Sequence, residues 1–183
     1  LLFSDIIKKN KYEPERWSLY IGLNVTGEDV AELAIDGGED PKDYHVTLLY
    51  GYFTPKSDIE DSTVRIQGAI NDIKSGIPER LVFFHEHRFE ASKNSDKKDV
   101  IVERVEGGHL EELHNDLLEA LKKRGITVEK TFPTYIPHMT LAYIEPDTPY
   151  KLRVLDHSAA VKDISVDIEP EHSEGHENTF KMV

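Results

Sequence analysis

His45-Val46-Thr47-Leu48-Leu49-Tyr50 and His138-Met139-Thr140-Leu141-Ala142-Tyr143 carry one pattern, His-x-Thr-Leu-x-Tyr, twice in a chain of 183 residues. Four identities in six positions, each copy inside an apolar run, are not what chance supplies. The histidines lie 138 − 45 = 93 positions apart, so each half of the chain is expected to bring one imidazole and one hydroxyl to a shared site. A fold for this sequence must bring two corresponding segments to one place.

Both segments are rich in residues that suit a pleated surface and read as strands. Side chains at i and i+2 of a strand leave the same face, so His45 points with Thr47 and His138 with Thr140. Leu48, Tyr50, Leu141 and Tyr143 have the opposite parity. They are expected in the apolar layer beneath, which makes the tyrosines core residues rather than chemical ones.

Two imidazoles across a cleft suit general acid-base work, because an unperturbed pKa of ~6.5 leaves both protonation states available near neutrality. One can take a proton from an attacking oxygen while the other gives one to a leaving oxygen. The hydroxyl beside each can donate to a non-bridging phosphate oxygen and stabilise the charge of an in-line displacement. No metal is required for either task. A lone histidine on an apolar strand is more often a packed residue than a catalyst. It is the pair, in corresponding halves, that points to chemistry.

At these residues the chain resembles the two-histidine (2H) phosphoesterase superfamily, which includes the 2′-5′ RNA ligase-like proteins and cyclic phosphodiesterases. The resemblance runs from about Trp17 onward and is sharpest at the two His-Thr pairs, with Pro137 before the second histidine also similar to many members. It implies an α+β fold of two pseudo-symmetric lobes, each an antiparallel sheet with a flanking helix, around a central cleft. It further implies that His45 and His138 are the acid-base pair and that Thr47 and Thr140 bind the substrate phosphate. Substrates would be phosphodiesters of 2′-5′, 2′,3′-cyclic or cyclic-oligonucleotide type, with no cofactor.

The composition fits such a partner. A formal charge of −13 opposes a broad grip on duplex DNA, which needs clustered Lys and Arg, whereas a small nucleotide or oligonucleotide in a local pocket is compatible with it. Lys93, Lys97, Lys98 and Lys122-Lys123-Arg124 read as solvated loop and helix-end charges. The absence of cysteine removes disulfides and thiol nucleophiles. No apolar run approaches the ~20 residues of a membrane span, and no signal-peptide pattern opens the sequence, so no membrane partner and a cytoplasmic location are expected. The length suits one domain over residues 1–183, with 1–16 as an N-terminal arm. A first residue of leucine suggests a piece of a longer protein, and the oligomeric state stays open.

Along the chain, residues 18–25 read as the first strand, and Gly37-Gly38 through Asp43 as a turn-rich lead into the first motif. Ser57-Asp58-Ile59-Glu60 resembles a capping box opening a helix, with Ile66, Ala69, Ile70 and Ile73 at helical spacing and Gly76 and Pro78 ending it. Residues 81–90 and 99–106 read as a hairpin. Leu110, Leu113, Leu117 and Leu121 then form the apolar stripe of the clearest helix, with Glu111 and Glu112 in its first turn, Lys122, Lys123 and Arg124 in its last and Gly125 beyond. Strands are expected near 126–130, at the second motif, and at 162–168 and 179–183.

Other candidates carry less. His85 and His87, at i and i+2 of one strand, share a face with Phe83 and Phe89 by parity; packing or cleft lining fits them better than zinc, for which no third ligand is evident, so no metal site is assigned. His172 and His176 lie among Pro170, Ser173 and Gly175 and read as loop. His109 and His114 are expected on the exposed side of the Leu-striped helix. His157 has no motif around it. A base would need an aromatic platform, and Tyr135, close before the second motif, is the one assigned, ahead of Phe132 and Trp17.

The function expected from all this is a metal-independent phosphodiesterase hydrolysing a nucleotide phosphodiester by His-His acid-base catalysis. The alternatives are a non-catalytic nucleotide-binding module of a larger protein, and RNA end-processing or ligation. Retention of both His-Thr pairs argues against the first. The lack of an adenylation motif or phosphate-binding glycine loop argues against the second.

Overall fold

The computed structural model describes residues 15–171 and the backbone of 179–182. Most of the expected N-terminal arm lies outside the described residues, as do His172 and His176. The strands are β1 (Trp17–Val25), β2 (His45–Phe53), β3 (Arg80–Phe89), β4 (Asp99–Val105), β5 (Glu129–Lys130), β6 (His138–Ile144), β7 (Asp156–Pro170) and β8 (Thr179–Met182). Two long helices, α1 (Ile59–Ile73) and α2 (His109–Lys123), each follow a strand pair. Among the described residues no helix is long and apolar enough to cross a membrane.

All strand pairings are antiparallel, in the order β1-β2-β6-β4-β3-β7-β8, with β5 beside β2. β7 is long enough to serve both ends: residues 156–160 pair β3, while 161–170 pair β1. Six strands thereby close into a circuit whose thinnest seam is β2 against β6, joined by the single pair Val46↔Met139. The expected lobes are the two sides of this seam, β1-β2 and β3-β4-β6, bridged by β7.

Alternation drives this arrangement. Leu19, Ile21, Leu23 and Val25 of β1 are buried on one face, and they join Ile66, Ala69 and Ile70 of α1 and Leu110, Leu113, Leu117 and Leu121 of α2 in one apolar cluster. α2 ends as its sequence suggests, with Gly125 at φ 82°, a left-handed position that a Cβ would strain. α1 begins one residue later than the expected box. Asp58 is its N-cap, accepting from the Asp61 amide at 2.7 Å, while Ser57 donates to the Asp61 carboxylate at 2.6 Å. A carboxylate is the stronger acceptor at the positive end of a helix.

Besides a bulge at Lys162 of β7, where Asn24 pairs Asp163 and Val25 pairs Val161, the strands break their alternation at three bulges that shape the site. Ile21 pairs Leu49 and Gly22 pairs Thr47, leaving Leu48 extra; Ile101 pairs Ala142 and Val102 pairs Thr140, leaving Leu141 extra. Each motif therefore bulges at its leucine. Past the bulge the parity inverts, so Leu49 and Ala142 are buried while Tyr50 and Tyr143 are 37% and 46% exposed, against the expectation that both tyrosines are core. The third bulge is at His85, between Phe84↔Arg104 and Glu86↔Glu103, with His85 at φ 47°. It puts Phe84, not Phe83, on the face of His87 and Phe89.

The same bulge turns Glu86 inward opposite Glu103. Glu86 is neutralised there: the Arg153 guanidinium reaches it at 2.8 Å, the Tyr150 hydroxyl donates at 2.9 Å and the Arg153 amide at 2.7 Å. Glu103 is fully buried, and neither of its oxygens has a hydrogen-bond partner among the described residues. Burial, then the Glu86 charge, push its carboxyl up to about 7, with Arg153 opposing. The unfolded chain ionises Glu103 near the ordinary carboxylate value while the folded chain holds the proton. Stability is thus lost as pH rises from about 4.5 to about 7 and the loss is constant above. A difference of that size corresponds to roughly 3 kcal/mol. Glu103→Gln should match the parent in urea unfolding at about pH 4.5 and exceed it by about that amount at about pH 8. Equal midpoints at both pH values would mean the carboxyl does not titrate in this range.

Candidate active site

At the seam Val46 and Met139 are fully buried and face the core, so their neighbours face the other way. The antiparallel direction then sets His45 toward Thr140 and Thr47 toward His138. Four residues from two distant segments meet around one near-symmetric pair, on the face of the sheet opposite Val46 and Met139.

The imidazoles are held alike. His45 Nδ1 is 2.9 Å from the Asp43 carbonyl and His138 Nδ1 is 2.7 Å from the Ile136 carbonyl, each two residues upstream. A carbonyl only accepts, so in each ring Nδ1 carries a proton and Nε2 is left to take or give one. Each ring also meets an aromatic edge-on: Tyr20 against His45 at 5.8 Å and 90°, and Phe89 against His138 at 5.0 Å and 81°. These contacts fix the rings in orientation. Burial, followed by the charges of His45 and Arg104, lowers the pKa of His138 despite its bond to Ile136. His138 is thereby biased toward the neutral form.

Each threonine hydroxyl also meets a tyrosine hydroxyl, Thr47 that of Tyr20 and Thr140 that of Tyr143. Tyr20 lies across Gly22, where a Cβ would overlap its hydroxyl; glycine makes that path possible. Tyr143 reaches Thr140 only because the bulge inverts the strand. Burial raises both phenols, keeping them protonated and able to donate.

Tyr135 has a different place from the one its sequence suggests. Its hydroxyl donates to the Thr47 carbonyl at 2.8 Å, and its ring stacks on His114 at 4.2 Å and 8°. The face turned to His114 is not open to a base. His114 is 4% exposed rather than on the solvent side of α2, and its Nδ1 is 2.6 Å from the carbonyl of Leu48, the bulged residue of the first motif. Burial lowers its pKa, consistent with a neutral ring donating through Nδ1. Together the two rings support the bulge that aims Thr47. Tyr135→Phe should therefore lose about 1 kcal/mol of stability, the scale of one hydrogen bond, and lower kcat with KM little changed. A rise in KM alone would return Tyr135 to substrate binding.

Arg104 escaped the sequence reading. It is the ladder partner of His138 and shares that face of the sheet with Val102 and Val100. Among the described residues it has no ion pair, and its buried Nε has no hydrogen-bond partner. The run 100–105 carries two charges, Glu103 and Arg104, and nothing local in the sequence marks which of them shares a face with His138. His87 lies on the same face opposite Val102, with its pKa lowered by burial and then by Arg104. No group of three or more His, Asp or Glu among the described residues is arranged to hold a metal ion.

Fold and site together define a class. The sequence profile of the 2′-5′ RNA ligase superfamily matches residues 39–170, and the chain belongs to that superfamily of two-histidine phosphoesterases. Solved structures of the same fold include LigT of E. coli complexed with 3′-AMP, 15% identical, with a TM-score of 0.54 over 93% of this chain and 97% of that one. The protein TT0787 of Thermus thermophilus is 16% identical, with a TM-score of 0.56 over 91% and 95% of the two chains. The MHV ns2 PDE domain is 20% identical, with a TM-score of 0.52 over 90% and 99%. No curated protein sequence matches the chain. Membership assigns it to proteins that process phosphodiesters.

Proposed function

We propose that the chain is a phosphodiesterase in which His138 and His45 divide the roles of general base and general acid at a nucleotide phosphodiester. The observation that carries this is the paired tautomer lock: both rings give Nδ1–H to an upstream carbonyl, leaving two Nε2 atoms for proton transfer on one face. His138, biased toward neutrality, suits the base that activates the attacking oxygen. His45 then delivers a proton to the leaving oxygen. Thr47 and Thr140 donate to the non-bridging oxygens, where negative charge grows in the transition state.

A small nucleotide substrate is supported by the E. coli LigT structures, which are complexed with 3′-AMP and with ATP. The family description also keeps ligation in view, since the same acid-base pair would serve the reverse transesterification. A panel of 2′,3′-cyclic mononucleotides, 2′-5′ oligoadenylates and cyclic oligonucleotides, with product chromatography, tests the proposal and separates hydrolysis from ligation. Four protein groups suffice for proton transfer and charge stabilisation, so turnover should survive exhaustive chelation. Turnover abolished by chelation and restored by zinc or manganese would overturn the metal-free mechanism. Tight binding without turnover of any member would make the chain a binding module.

A further inference from the structure

Tyr20 touches both members of the first His-Thr pair. Its ring meets that of His45 at 5.8 Å and 90°, and its hydroxyl shares a hydrogen bond with that of Thr47. In the second pair the same two contacts are divided: Phe89 meets the His138 ring and Tyr143 meets the Thr140 hydroxyl. At these contacts the first half of the site depends on one side chain and the second on two.

The register explains how a residue of β1 reaches both. Asn24 pairs His45 and Gly22 pairs Thr47, while Tyr20 pairs Tyr50 on one side and Asp167 on the other. Tyr20 and Gly22 leave the same face of β1, opposite the buried Leu19, Ile21 and Leu23. Flanked in its own row, the Tyr20 ring extends along the strand, over Gly22, into the row of Thr47. A Cβ at Gly22 would overlap both the hydroxyl and Cζ of Tyr20. The φ of Gly22 is not positive, so the position requires space rather than backbone freedom.

The two partners gain different things from the ring in this slot. His45 is exposed, and the Asp43 carbonyl holds only its Nδ1, so a ring pivoting about that bond would swing Nε2 away from the leaving oxygen. The Tyr20 ring opposes that swing. Thr47 has one hydrogen to give, useful only when aimed at a non-bridging phosphate oxygen. A Tyr20 hydroxyl donating to Thr47 Oγ1 fills the acceptor side of that oxygen, leaves its hydrogen for the phosphate and polarises it.

We infer that Tyr20, seated in the slot over Gly22, is a positioning residue that holds His45 in its proton-delivering orientation and turns the Thr47 hydroxyl toward the phosphate. The inference rests on the proposed acid-base site.

Three variants test it, with Tm confirming that each folds. Tyr20→Phe keeps the ring and removes the hydroxyl, Tyr20→Leu removes both, and Gly22→Ala fills the slot without altering any contacting group. On the diester that the parent turns over best, Tyr20→Phe should lower kcat about 10-fold with KM little changed, the scale of one hydrogen bond felt in the transition state. It should cost nothing further in a Thr47→Val background, where the hydroxyl has no partner to turn. Gly22→Ala should lower kcat at least as far as Tyr20→Phe and do no further harm in a Tyr20→Leu background. Histidine ¹⁵N NMR gives a readout without turnover: His45 should be the Nδ1–H tautomer in the parent and Tyr20→Phe, and a mixture of tautomers in Tyr20→Leu and Gly22→Ala. Losses that multiply in both double variants, or a His45 ring unchanged by Tyr20→Leu, overturn the inference while leaving catalysis standing. Should the parent turn over no diester, the catalytic reading fails and the NMR result decides alone. Mixed tautomers in Tyr20→Leu then uphold Tyr20 as the residue that holds His45, and an unchanged ring sinks both.

Discussion

His138→Ala is expected to lower kcat/KM by about 10²- to 10⁴-fold, the usual scale of one general base, and His45→Ala by a similar factor as the general acid. The parent pH profile should be a bell. Its rising limb follows His138 shedding its proton and falls below the ordinary imidazole range, because burial and the Arg104 charge disfavour the imidazolium. Its falling limb follows loss of the proton that His45 must deliver. His138→Ala should erase the rising limb and His45→Ala the falling one. The double variant should be little worse than the poorer single variant, since once one transfer is gone the other has no concerted step to assist. Thr47→Val and Thr140→Val should weaken charge stabilisation and leave both limbs in place. Losses that multiply in the double histidine variant would show two independent residues and end the shared-site model. Exchanged limbs would reverse the acid and base roles.

The residues at the centre of this experiment were legible because they are written twice. Chance repetition is improbable, and i, i+2 parity holds over three residues, so His45 with Thr47 and His138 with Thr140 followed directly from strand geometry. Parity carried further than three residues was misleading. The bulges at Leu48 and Leu141 invert the strands, and Tyr50 and Tyr143 turn outward. The doublets Leu48-Leu49 and Leu141-Ala142, two successive apolar residues in each strand, are the trace that a bulge leaves in a sequence. His114 could have been placed by spacing alone, since it lies four residues after Leu110 and three before Leu117, on the buried stripe. Arg104 could not: its importance comes from its partner strand, and a ladder between residues 104 and 138 has no local signature. The same holds for Glu86 and Glu103, whose meeting depends on a bulge at His85.

That meeting makes Arg153 the residue whose loss should damage folding most. Its guanidinium donates to Glu86 at 2.8 and 3.0 Å and to the Leu33 carbonyl at 2.7 Å, tying the segment before β7 to the turn at 31–33. The Glu86 side chain is fully buried and that of Arg153 is 33% exposed. Removing one partner of a buried pair typically costs about 3 to 5 kcal/mol because the other charge stays buried. The partial exposure of Arg153 puts Arg153→Met near the lower end, about 3 kcal/mol, or roughly 6 to 12 °C in Tm for a chain of this size. Without Arg153, Glu86 keeps the Tyr150 hydroxyl and the backbone amide of residue 153, but its buried carboxylate has no cation. Glu86→Gln in the Arg153→Met background should therefore recover much of the stability in urea unfolding at neutral pH. No recovery from Glu86→Gln would mean that Arg153 acts through the Leu33 carbonyl and its own packing rather than by neutralising Glu86.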